Sequence, residues 1–95
     1  MANTKRLVLD VLKPHRPSIL EMAQNISDLE RVDSVNAILC ELDEKVENIK
    51  VTIVGDNLDI DNIKKCIKKL GGSVHSIDEA VCGNEIIEEV KTPQG

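Results

Sequence analysis

Hydrophobic residues recur along the chain with two different spacings, and the succession of those spacings predicts the order of the secondary-structure elements. Alternation at every second position is typical of strands, whereas recurrence at three and four positions is typical of helices. The order is strand, helix, strand, strand, helix, strand, with a further short strand at the end. The predicted strands are Leu7–Leu12, Val32–Asp43, Glu47–Val54, Ser73–Cys82 and Glu85–Val90, and the predicted helices are Ser18–Leu29 and Asp59–Leu70.

The connection between the first strand and the first helix is stiff and ends in a helix cap. Pro14 and Pro17 forbid helix through this loop. Ser18 and Glu21 form the S-x-x-E capping pattern, in which each side chain satisfies a backbone donor of the first helical turn. The first helix is therefore predicted to begin at Ser18.

This order of elements matches two split β-α-β units, which is the ferredoxin-like α+β sandwich. Two helices would lie on one face of an antiparallel sheet with strand order 4-1-3-2. The whole chain, residues 1–95, is predicted to form a single domain with a flexible tail at residues 91–95.

The second face of the sheet is predicted to be too apolar to be left to water. Eight residues would form it: Val8, Asp10, Leu12, Ile38, Cys40, Lys50, Thr52 and Val54. We therefore expect a neighbouring subunit to cover part of this face or the terminal strand, giving a homo-oligomeric ring or dimer through pairing of sheet edges.

Composition changes this picture in two respects. The chain contains no Phe, Tyr or Trp, so its core must be aliphatic, and a small aliphatic core makes stabilisation by oligomerisation plausible. The net charge is −5, which disfavours sequence-independent binding to nucleic acid. No partner nucleic acid is expected.

The cysteines and the hydropathy pattern bear on the cellular compartment. Cys40, Cys66 and Cys82 are widely spaced and form no C-x-x-C pair, so reduced thiols in a cytoplasmic protein are expected. Charged residues interrupt every apolar run, and neither a signal sequence nor a membrane helix is predicted.

Two groups of acidic residues are candidate sites for a hard divalent cation, calcium or magnesium. Asp56, Asp59 and Asp61 precede and begin the second helix, and carboxylates are the ligands that such cations prefer. The spacing lacks the full calcium-loop pattern. The same residues could instead cap the helix and complement its dipole.

The second group depends on the predicted neighbourhood of the first and fourth strands. That neighbourhood would bring Asp10 towards His75, Asp78 and Glu79, where a metal or a small polar ligand could bind, with His15 a further candidate. The alternative is a structural hydrogen-bond cluster in which Ser76 or a backbone amide satisfies Asp10.

No reaction is specified by the remaining polar residues. Lys13, His15 and Arg16 precede a helix start and could hold an anion, although Glu21 competes for the same donors. The lysines of the second helix are interpreted as a solvated face. A glycine-flanked serine, a Cys–His pair and a phosphate-cradling loop are all missing from the sequence.

Several segments nevertheless resemble a known family. With LVLDVLKPHRPS, VTIVGDNLD, GGSVHSIDEAVCG and the closing EEVKTPQ, the chain resembles over essentially its whole length a family of small archaeal proteins of unknown function. The resemblance implies a ferredoxin-like fold, ring-like homo-oligomers and archaeal origin. It implies no activity.

Three hypotheses about function follow. The first is a non-enzymatic, homo-oligomeric binding or scaffolding protein whose acidic groups bind divalent cations such as calcium. The second is a regulatory module that senses a small molecule between paired domains. The third is an enzyme whose site is shared between subunits, with Asp10 and His75 as candidate groups.

Overall fold

A computed structural model describes residues 3–87 of the chain. Its elements are β1 (Thr4–Pro14), α1 (Ile19–Ser27), β2 (Val32–Leu42), β3 (Val46–Gly55), α2 (Ile60–Lys69) and β4 (Ser73–Cys82). The strands form one sheet in the order β2-β3-β1-β4, and each neighbouring pair is antiparallel. The ferredoxin-like α+β fold and the sheet order predicted from the sequence are both confirmed.

Both helices begin at the predicted caps. The Ser18 hydroxyl accepts a hydrogen bond from the Glu21 backbone N–H at 3.1 Å, and the Glu21 carboxylate accepts from the Ser18 backbone N–H at 3.4 Å. Asp59 caps α2, because its carboxylate accepts from the backbone N–H groups of Asp61 and Asn62. These bonds satisfy donors that the first helical turn leaves without intrahelical partners.

Most elements differ from their predicted bounds by one or two residues at an end, and two predicted strands differ by more. β1 is longer than Leu7–Leu12, because its pairing with β3 continues through Lys13 and Pro14. The predicted strand Glu85–Val90 is wrong over residues 85–87, which carry no strand. Its remaining residues and the predicted flexible tail lie outside the described residues.

The core lies between the helices and one face of the sheet, and it is wholly aliphatic. The two central strands supply alternate residues to it, and each helix adds one buried stripe. Its fully buried members include Leu9, Val11, Ile49, Val51, Ile53, Met22, Ile26 and Ile67.

The helices cover β2 only in part. Val35 and Ala37 of β2 pack against the core, but Leu39 and Leu42, which follow on the same side, are 48% and 66% exposed. Ile38, on the other side, is 54% exposed. β2 therefore presents large apolar side chains on both of its faces.

The second face of the sheet is only partly as predicted. Val8, expected to be exposed there, is only 8% exposed. It pairs with Glu79 of β4, and the ion pair of Glu79 with Arg6 lies beside it. The exposed apolar surface on this face is thus centred on Ile38 of the edge strand and not on β1.

A truncation inside the core tests this division between covered and exposed residues. Leu9→Ala should lower the free energy of unfolding by about 2–5 kcal/mol, because it removes buried methyl groups and leaves a cavity. Leu20→Ala is the matched control, since Leu20 is 64% exposed on α1, and it should cost less than about 0.5 kcal/mol. Urea denaturation measures both values, and equal losses would contradict the assignment of the core.

Candidate functional site

The main cluster of interacting charged groups lies where β1 ends and the β2–β3 hairpin turns. Lys13 alternates with Leu9 and Val11 on the helix-facing side of β1, and its side chain is 0% exposed. Burying an ammonium group is costly unless it is paired and hydrogen-bonded. Lys13 therefore requires acceptors at this end of the sheet.

Glu47 of β3 supplies one acceptor and the backbone supplies another. Lys13 and Glu47 are directly opposite each other in the β1–β3 ladder. The Lys13 Nζ donates to Glu47 Oε1 at 2.7 Å and to the Pro14 carbonyl oxygen at 2.8 Å. The register of the two strands thus places the buried cation and its counter-ion together.

His15 completes this cluster, which we call the Lys13–Glu47–His15 network. Its Nδ1 lies 3.0 Å from Glu47 Oε2, and its Nε2 lies 2.8 Å from the Glu44 carbonyl oxygen. Both partners are acceptors, and only the protonated imidazole can donate from both nitrogens. The hydrogen bond to Glu47, followed by that to Glu44, accordingly raises the pKa of His15.

The pKa of Glu47 is shifted in the opposite direction to that of His15. Its hydrogen bond from His15, and then the one from Lys13, lower the pKa of the Glu47 carboxyl group. The network ties the end of β1, the loop before α1 and the hairpin turn at Glu44 to one another. The network can bind a proton at His15, and the affinity for that proton depends on the relative positions of all three segments.

This arrangement overturns the anion site predicted for the same loop. Lys13 does not project from the loop, because its side chain points into the core side of the sheet and is bonded to Glu47. His15 is also directed to Glu47. Of the three predicted cationic residues, the structure therefore leaves only Arg16 outside the network.

The first acidic group is divided between two structural roles. Asp56 accepts hydrogen bonds from Asn3 at 2.7 Å and Lys5 at 3.2 Å, and these bonds lower the pKa of its carboxyl group, the one from Asn3 most. Asp59 is the cap of α2, and Asp61 lies in its first turn. The helix-capping alternative thus accounts for Asp59.

The strand register brings Asp10 close to the β4 residues of the second acidic group, but within residues 3–87 no side-chain hydrogen bond connects it to them. Asp10 is opposite Ser76, as the predicted sheet order requires. Its carboxylate, however, accepts from the Asn48 side chain of β3, while the Ser76 hydroxyl donates to Asp78 at 2.7 Å. Asp10 thus takes part in a structural hydrogen bond, as the alternative expected, but its partner is Asn48 of β3 and not Ser76 or a backbone amide.

Two further members of this group are separated by irregularities in β4. His75 and Asp78 are the extra residues at two shifts in the β1–β4 register. Glu79 is paired with Arg6, at 3.0 Å between Oε1 and Nε. Within residues 3–87, no three His, Cys, Asp or Glu side chains lie close enough together to hold a metal ion.

Sequence reasoning missed Glu47 as a member of any cluster. The signal was available in part, because Lys13 occupies the apolar period of Leu9 and Val11 and so requires a buried counter-ion. Choosing Glu47 from among the acidic residues requires the β1–β3 register, which the hydrophobic pattern alone does not give.

Comparisons with known proteins found one matching family and one similar protein. Residues 5–95 match the model of the DUF211 family, described as uncharacterized ArCR. The uncharacterized protein MJ0319 of Methanocaldococcus jannaschii is 53% identical over 94 residues, which cover 99% of this chain and 97% of that protein. In the part of the chain that the structure describes, no helix is long and apolar enough to span a membrane.

The network predicts a pH dependence of stability. With its pKa raised above 6.5, protonated His15 stabilises the fold fully below pH 6.5, and this contribution is lost as pH rises through the raised pKa. With its pKa lowered below 4.5, ionised Glu47 contributes fully above pH 4.5, and this is lost as pH falls through the lowered pKa. The His15–Glu47 interaction should therefore be strongest between pH 4.5 and 6.5.

Melting curves of the wild type and His15→Asn across this pH range measure the effect. The difference in melting temperature should be largest near the middle of the window and should shrink towards alkaline pH. His75→Asn is the control, because it removes the other histidine without touching Glu47. If the melting temperature of the wild type exceeded that of His15→Asn by an increasing margin above pH 8, the protonated state of His15 would be contradicted.

Proposed function

The chain belongs to the DUF211 family, and from this premise we propose that it is a homo-oligomeric binding or scaffolding protein, assembled by pairing of sheet edges. The observation that carries the proposal is the exposure of β2, whose large apolar residues Ile38, Leu39 and Leu42 are uncovered. Exposed apolar surface of this kind on a sheet edge is typical of an interaction site.

The two edges of the sheet differ in how open they are to pairing. β4 carries the extra residues His75 and Asp78 at breaks in its register, and such bulges with polar side chains hinder the addition of another strand. β2 also has irregular positions near its ends, but its register with β3 is unbroken from Ser34 to Leu39. Its outer N–H and C=O groups are suited to pair with another strand.

The partner that best fits this edge is a second copy of the chain. An added strand would pair with the outer backbone groups of β2. Its side chains would pack beside Ile38 on one face of the sheet and beside Leu39 on the other. Pairing of β2 with β2 gives a dimer and uses only the open edge, whereas a ring requires β2 to pair with β4 of the next copy in spite of the breaks in the register of β4. Either assembly extends the small aliphatic core, which suits a domain without aromatic residues.

Calcium or magnesium would bind between two copies of the chain. Since the candidate ligands do not meet within residues 3–87, a cation would have to bridge carboxylates of two subunits. Asp56, Asp61 and Asp78 are exposed, and hard cations take six or more oxygen ligands. The cytoplasm, which keeps thiols reduced, suits the three free cysteines.

Lysine substitutions on β2 test the assembly. Ile38→Lys and Leu42→Lys should each reduce the molar mass measured by light scattering at micromolar concentration, and the double variant should be monomeric, because charged side chains oppose burial at the edge. Leu20→Lys is the matched control, since Leu20 has similar exposure on α1. A wild-type protein that is monomeric, or an oligomer that survives both β2 substitutions, would refute the proposal.

Thermal melting tests the cation. Ligand that binds only the folded assembly stabilises it by mass action, by about 2.7 kcal/mol at a concentration one hundred times Kd. Calcium or magnesium at millimolar levels should therefore raise the melting temperature, and chelator should reverse the rise, while sodium at equal ionic strength should not reproduce it. Unchanged melting with both cations would remove the cation from the proposal and leave the assembly standing.

A further inference from the structure

A groove lies between the two helices on the described part of the protein. Its volume is about 590 Å³, which lies within the range of about 300–1,000 Å³ that small-molecule sites commonly occupy. Asn25 and Leu29 line it from the side of α1, and Asn62, Lys65, Cys66 and Lys69 line it from α2. None of its lining residues belongs to the Lys13–Glu47–His15 network.

The lining from α2 follows from helical spacing. Asn62, Lys65, Cys66 and Lys69 stand at relative positions 0, 3, 4 and 7, which places them on one side of the helix. Lys68 also reaches the groove, whereas Lys64 is exposed on the same helix and lies outside its lining. All four lysines of α2 are exposed, as expected of a solvated face, and three of them also line this groove.

These lysines bring an excess of positive charge to the groove. Within residues 3–87, the ion pairs of lysine involve Lys5 and Lys13, and no carboxylate pairs with Lys65, Lys68 or Lys69. The C-terminal end of the α2 dipole offsets part of their mutual repulsion. The result is a local cationic site on a protein whose net charge is −5.

The floor of the groove is apolar. Leu29 and Cys66 are partly buried and pack against the hydrophobic core. Burial raises the pKa of the Cys66 thiol, and the charge of Lys69 acts on it in the opposite direction. The groove thus combines an apolar floor with lysines along its lining.

We propose that this groove binds a small phosphorylated organic molecule, with its phosphate held by Lys65, Lys68 and Lys69 and its apolar body against Leu29 and Cys66. A phosphate monoester carries close to two negative charges at neutral pH, which matches three convergent lysines better than a single carboxylate does. The side-chain amide of Asn62 can donate to the phosphate from the opposite end of the lysine row. The proposal stands independently of the oligomer, because it uses only residues of one chain.

Phenyl phosphate is a suitable probe, since it combines a dianionic group with a small apolar body. Titration into isotope-labelled protein at low ionic strength should move the backbone amide signals of Asn25, Asn62, Lys65 and Cys66 along one saturable curve. Inorganic phosphate, which lacks the apolar body, and benzoate, which carries one charge, should each bind at least threefold more weakly.

Charge variants on α2 distinguish binding in the groove from nonspecific electrostatic attraction of the anion to the helix. Lys65→Ala should weaken phenyl phosphate binding at least fivefold, whereas Lys64→Ala, which removes the same single charge outside the groove, should change it less than twofold. Both variants alter exposed helical positions, and the retained dispersion of the remaining amide signals verifies folding. An equal effect of Lys64→Ala, equal affinity for all three probes, or shifts that do not saturate would each overturn the proposal.

Discussion

The strands of this protein are much longer than the helices that cover them, and most other features follow from that mismatch. α1 has nine residues and so spans about 14 Å at the helical rise. β2 has eleven residues and spans about 36 Å at the extended rise. Two short helices therefore cover the middle of one sheet face and leave the ends of the strands beyond their reach.

The chain meets this constraint differently on different strands. On β1 the helix-facing row of Leu9 and Val11 continues into Lys13, whose buried ammonium is held by Glu47 and a backbone carbonyl. Ionic and hydrogen-bonding contacts thus replace helix packing at that end. On β2 the same side continues from Ala37 into the exposed Leu39 and Leu42, for which the described residues supply no cover. A second copy of the chain is the cover that we propose.

Periodicity and capping were sufficient to predict the fold. The alternation along β1 and β3, the capping pair of Ser18 and Glu21 and the cap at Asp59 are local signals, and the element order restricts the topology strongly. Asp10 was also predicted to face the segment around Ser76, and it does. Its hydrogen bond to Asn48 was not predicted, because the choice between neighbours on two sides of a strand depends on side-chain geometry.

The clusters that involve two distant segments escaped prediction for the same reason. The pairing of Lys13 with Glu47 requires the register of β1 against β3. The convergence of Lys65 and Lys69 on Leu29 requires the relative placement of α1 and α2. Neither relation is encoded in the spacing of residues along one element, although the buried position of Lys13 in an apolar row was visible in the sequence.

Hydrogen exchange along β2 tests most directly whether the uncovered edge pairs with another copy. In an isolated domain, the outward N–H groups of residues 34–39 would face water and exchange quickly, while their inward neighbours would be protected by β3. The account predicts that all amides of this stretch exchange slowly at micromolar protein concentration and that the outward ones lose their protection in Ile38→Lys. Rapid exchange of the outward amides in the wild type, beside slow exchange in β1 and β3, would show that the edge is free and would contradict the account.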